Sequence, residues 1–201
     1  MGIPKRPGAR WLAVGVVLLA VAGVSSQVFL VRGHPLGQGS ISSSLGLGSS
    51  CRGFEPTPTM ARCNEVAFVP GSAVGLGFSV RNNGPVPLTI VAVKGLGGES
   101  AALAELNPVL PPAGGPGAGT FAFEGVRPFQ PIDLAPGQDA AIQFVGQMRS
   151  CDAMRGHWSP GVWMRFDSAR LTVRVLATSS EIEVPLQQAL QINSPAPGTC
   201  P

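Results

Sequence analysis

A chain of 201 residues with 14 lysines and arginines against 11 acids carries a formal charge of +3, too little for a phosphate-binding surface. Hydrophobic residues make up 44% of it, which excludes disorder throughout. The 27 glycines, 20 prolines and a charged fraction of only 12% argue against a mainly helical chain and for short strands joined by tight turns.

The first ten residues carry Lys5, Arg6 and Arg10 and no acid, and an apolar run follows from Trp11 to Val31. A bilayer core requires about 20 helical residues, and flanking cations keep their end of such a helix in the cytoplasm. Residues 1–10 are therefore expected to be a cytoplasmic basic tail and 11–31 a single transmembrane signal anchor, with everything after Arg32 outside the cell membrane. A cleavable signal with small residues at Gly23 and Ser25 is the rival reading; it lacks an Ala-x-Ala pattern, and Val28–Val31 continues the apolar run past it. Removing Lys5, Arg6, Arg10 and Arg32 from the count leaves the remainder near neutral, so the basic balance is a topology signal and no nucleic-acid partner is expected.

Residues 32–60 are rich in Gly, Ser and Pro without apolar periodicity and read as a stalk. Residues 61–201 read as one exported domain, long enough to bury a core. Glu65–Val69 is a short strand candidate ended by Pro70-Gly71. In Ala73–Asn82, Val74, Leu76, Phe78 and Val80 alternate with Gly75, Gly77, Ser79 and Arg81, the period of a half-buried strand. Asn82–Pro85 is a turn, and Val86–Lys94 returns as a strand. Residues 99–106 read as two helical turns, 107–120 as a Pro/Gly loop and Phe121–Phe123 as an edge strand. A strand runs from Asp139 through Ile142 and Phe144. Gly161–Asp167, Leu171–Ala177 and Glu181–Leu186 read as three more, with a turn at Thr178–Ser180. About seven strands with a turn every eight to twelve residues predict an antiparallel sandwich.

Cysteines stand at 51, 63, 151 and 200 with no CxxC pair, which argues against a zinc ribbon or a thioredoxin-type site. In an oxidising exterior they form two disulfides. Of three connectivities, Cys51–Cys63 and Cys151–Cys200 are preferred, one closing a small loop and the other tying down the tail.

Two strand pairs carry a resemblance. Phe78–Val93 (FSVRNNGPVPLTIVAV) and Leu134–Phe144 (LAPGQDAAIQF) resemble segments of the Hydin-like and major-sperm-protein-like immunoglobulin-type domains. The resemblance implies an immunoglobulin-like β-sandwich that serves as a structural or protein-binding module without catalysis. The Cys-rich turn of the common bacterial variant is replaced here by Lys94–Ser100, so the features that depend on it do not carry over.

Three constellations compete with plain structural roles. Met148, Cys151, Met154, His157 and Met164 combine thioether, thiol and imidazole, a donor set suited to copper(I), against roles as core fillers, a disulfide and a loop histidine. Trp158 and Trp163 flank a Ser-Pro-Gly turn as a carbohydrate-stacking pair, although a tryptophan plugged into the sandwich core is the role expected of Trp163. Carboxylates such as Glu181 and Glu183 sit singly on an outward strand face, no GxSxG surrounds any serine, and no Lys follows the glycine-rich strings. The expected protein is thus a non-catalytic, membrane-anchored, extracytoplasmic binding or scaffolding module of a bacterial cell envelope, with a protein partner, without a cofactor, and with copper handling as the alternative.

Overall fold

The computed structural model describes residues 16, 36–44, 51, 53–97, 104–112, 124–154, 163–194 and 200, the side chains of 41–44 and 154 excepted. Among the described residues ten strands form: β1 (Leu36–Ser44), β2 (Arg62–Ala67), β3 (Ala73–Asn82), β4 (Leu88–Leu96), β5 (Ala104–Leu110), β6 (Arg127–Pro128), β7 (Ile132–Leu134), β8 (Asp139–Met148), β9 (Trp163–Val175) and β10 (Thr178–Asn193). One helical turn, Cys151–Met154, lies between β8 and β9. The first sheet has the order β1-β3-β8-β5-β6 and the second β2-β10-β9-β4-β7.

The core lies between the two sheets because the alternating apolar positions point there. Val74, Leu76, Phe78 and Val80 of β3 meet Ile142 and Phe144 of β8, and Leu171, Val173 and Val175 of β9 face them from the second sheet, all buried. The rings of Phe78 and Phe144 stack with centroids 5.8 Å apart. At the end of β3, fully buried Asn82 ties two turns together. Its amide donates to Val86 O (2.9 Å) and Leu134 O (3.0 Å), and its Oδ1 accepts from Gly84 N (2.9 Å). Backbone bonds of the same residue with Gln138 and Gly137 fix the β7–β8 turn to it.

Several elements differ from expectation. Leu36–Ser44, inside the stretch read as a stalk, is a strand paired antiparallel with β3. Glycine and serine supply backbone hydrogen bonds without an apolar pattern, so no period marked it. Glycine is needed at position 39, where a Cβ would overlap Ser79. Residues 104–110, expected as helix and then loop, form β5 against β8, because pairing in a sheet outweighs the weak Ala/Leu helix preference. Gly161–Asp167 and Leu171–Ala177 were expected as separate strands, but residues 163–175 form one. The turn after it is Leu176–Ala177, so Thr178–Ser180 already belongs to β10.

β10 is long and irregular, with a register shift against β9 between Pro185 and Leu190. Its last six residues pair in parallel with β2, which makes the second sheet mixed where an antiparallel one was expected. Pro185 lies where β10 has no β2 neighbour, the edge location a missing N–H requires. There Gln38 of β1 reaches across from the first sheet, its amide donating to Pro185 O (3.0 Å) and Thr59 O (2.5 Å). The segment 11–31, expected to span the membrane, lies outside the described residues apart from Val16, and among them no helix is long and apolar enough to cross a membrane. The edge strand expected at Phe121–Phe123 also lies outside them.

Candidate partner-binding surface

The outer face of the second sheet carries an ordered aromatic and charged cluster near its β2 edge. Strand register places Glu65, Gln191 and Arg165 in one row across β2, β10 and β9, and Ala67, Asn193 and Trp163 in the next. Asn193 Nδ2 donates to the Glu65 carboxylate, Gln191 Nε2 to Asn193 Oδ1 (3.0 Å), and Arg165 Nη2 to Gln191 Oε1 (3.1 Å). A chain of amides thus joins a carboxylate to a guanidinium and holds the arginine in place. Gln191 is fully buried, and the bonds at both ends of its amide offset the cost of its desolvation.

The Arg165 guanidinium lies 4.5 Å from the Trp163 ring centre and 5.4 Å from that of Phe54. Cation–π attraction is worth about 0.5–2 kcal/mol at each such contact, depending on how dry it is. Phe54 reaches it because the segment before β2 is pinned by Cys51–Cys63, whose Cα atoms are 5.7 Å apart. Cys51, Cys63 and Ala189 form a second small core, with Phe54 and Met60 against it. The stalk reading gave Phe54 no role; the closed cysteine loop around it was the signal that it sits on the domain.

Trp163 is not the core plug the fold class led us to expect. It is 38% exposed, and fully buried Phe166, three residues on, fills the core instead. Along β9, residues 163 and 165 face outward and 164 and 166 inward, so a tryptophan at 163 points to solvent by parity. Trp158 lies outside the described residues.

The described members of the soft-donor group are not brought together. Met148 is 2% exposed in the main core, Met164 packs against that core, and Cys151 is bonded to Cys200 with Cα atoms 5.2 Å apart. The Met154 side chain and His157 lie outside the described residues. Among those described, no three His, Cys, Asp or Glu residues gather as a metal site. Glu183 accepts a hydrogen bond from Ser168, while Glu181 stays exposed on the same outer face.

No family model and no curated protein matches the chain. Among solved structures it is similar to the VesB protease of Vibrio cholerae (12% identity, TM-score 0.33), covering 66% of this chain and 30% of that one. It is similar to a family 123 glycoside hydrolase from Clostridium perfringens (9%, 0.34), covering 65% and 22%. A third likeness is to a PapD-like domain of human CEP192 (9%, 0.31), covering 76% and 98%. The chain therefore spans less than a third of either enzyme. At these values the likenesses assign neither a family nor an activity. They do correct one expectation: with a protease and a glycoside hydrolase among them, the exclusion of enzymatic activity drawn from the sequence is withdrawn.

Proposed function

We propose that the chain is a membrane-anchored, extracytoplasmic binding or scaffolding module of a bacterial cell envelope, which recruits a protein partner through the outer face of its second sheet. The observation that carries this reading is the exposed Trp163 stacked on an arginine that is itself fixed by Gln191. Tryptophan and arginine held rigid at a surface are the residues that dominate binding energy in protein interfaces, because they offer large contact area with little left to immobilise. The basic flank before the apolar segment 11–31 supports the topology, and the two disulfides fit an oxidising compartment.

Two measurements test it. A reporter that works only outside the cytoplasm, fused after Pro201, is expected to be active; activity of a cytoplasm-only reporter at that position refutes the topology. A photo-crosslinking side chain placed at Trp163 in cells is expected to trap one discrete protein, while one at Lys94, exposed on β4, traps none. Arg165→Ala should weaken the Trp163 product several-fold. Equal, diffuse labelling at both positions refutes the surface and leaves the topology standing.

A further inference from the structure

At one end of the sandwich three turns converge: the one between β3 and β4, the one between β7 and β8, and the Leu176–Ala177 hairpin. Between them lies a concavity of about 380 Å³ whose lining joins apolar Pro87, Leu88 and Leu134 to polar Asp133, Gln138 and Arg174. Leu88 and Leu134 are buried beneath it, held by register against each other and, for Leu88, against Val175.

Leu176 stands at its rim in a conformation that glycine adopts freely and leucine does not, with φ of 54°. Its side chain is 61% exposed. A lone molecule therefore bears two penalties at one residue, a strained backbone and an isobutyl group in water. The two-residue hairpin imposes that backbone on whichever residue stands there, while the exposure of the isobutyl group is offset if the side chain enters the concavity. A knob beside a hole on the same surface is the arrangement that a two-fold axis satisfies, each copy filling the other's hole.

The charges agree. Register places Asp133, Thr89 and Arg174 in one row across β7, β4 and β9. Asp133 accepts from Thr89 Oγ1 (2.7 Å), and among the described residues Arg174 has no ion-pair partner. The row thus runs from an anion to an unpaired cation past the concavity. Turned by a two-fold axis against its own image, it sets Arg174 of one copy before Asp133 of the other.

We propose that this end of the sandwich is a homodimer face, in which Leu176 of each copy seats in the other's concavity between reciprocal Arg174–Asp133 pairs. It is separate from the Trp163 surface and leaves that surface free in the dimer.

Sedimentation velocity of the full chain in mild detergent, over a concentration series, tests the proposal. The wild type is expected to dimerise. Leu176→Gly should raise the thermal midpoint of the monomer by removing the strain, yet weaken self-association about tenfold or more. A merely structural role for Leu176 would not move these two readouts in opposite directions. Arg174→Asp and Asp133→Arg should each weaken the dimer, and the two together should restore it. A wild type that stays monomeric overturns the proposal. So does a dimer whose dissociation constant is unchanged by Leu176→Gly, since the apolar segment or another face would then hold it.

Discussion

Phe144→Ala is expected to destabilise the domain by about 3–5 kcal/mol, a large part of the roughly 5–15 kcal/mol that holds a domain of this size folded. Phe144 is 1% exposed at the middle of β8, the central strand of its sheet, and its ring lies on that of Phe78. Strands on both sides hold the backbone, so the cavity cannot collapse and the lost contacts are not recovered. Phe144→Leu keeps most of the volume and should cost less than half as much. Phe54→Ala, at a half-buried ring on the outer face, should fall well below either. Urea unfolding gives the comparison, provided the slope with denaturant stays constant across the variants. A loss under about 1 kcal/mol at Phe144 would mean that the two sheets do not pack through this pair.

Asn82→Ala is the second large effect, expected at about 2–4 kcal/mol although it removes only a small polar group. The variant leaves Leu134 O without its partner at a buried site, and Val86 O and Gly84 N without theirs in a half-buried turn. Asn82→Asp is the sharper test. It matches asparagine in size but sets an oxygen against the two carbonyls that now receive N–H groups, so it should cost at least as much as alanine. If aspartate is tolerated as well as asparagine, the amide is not what joins the turns.

These two residues mark what was legible in the sequence. The period of two from Val74 to Val80 and the apolar positions 142 and 144 locate β3 and β8, because their large apolar side chains share the face toward the core. β3 is nonetheless buried at every position from Val74 to Val80, on both faces where a half-buried strand was expected. Asn82 and Pro85 announce the turn, since their backbone preferences are local. β1 and β5 were not legible. The pairing of β1 with β3 runs through backbone groups shared by every residue type, and among its described side chains only Leu36 is buried. β5 carries Ala, Glu and Leu, which favour a helix in isolation, and its strand form comes from a neighbour far away in sequence. The surface cluster was half legible: tryptophan stood out, but Arg165, Gln191, Asn193 and Glu65 come together only through register. Position 163 also faces outward by a parity that no composition argument reveals.

The parallel pairing of β2 with β10 has a mechanical consequence. Tension applied between the start of β2 at Arg62 and the end of β10 at Asn193 pulls on opposite ends of neighbouring strands that run the same way. The rungs from Arg62–Gln188 to Ala67–Asn193 are then loaded together in shear. The covalent bond between Cys51 and Cys63 carries the same force past the loop ahead of β2. Such a joint yields only when all its hydrogen bonds give way at once, so this pair of strands resists being slid apart along its length while remaining open to peeling from the side.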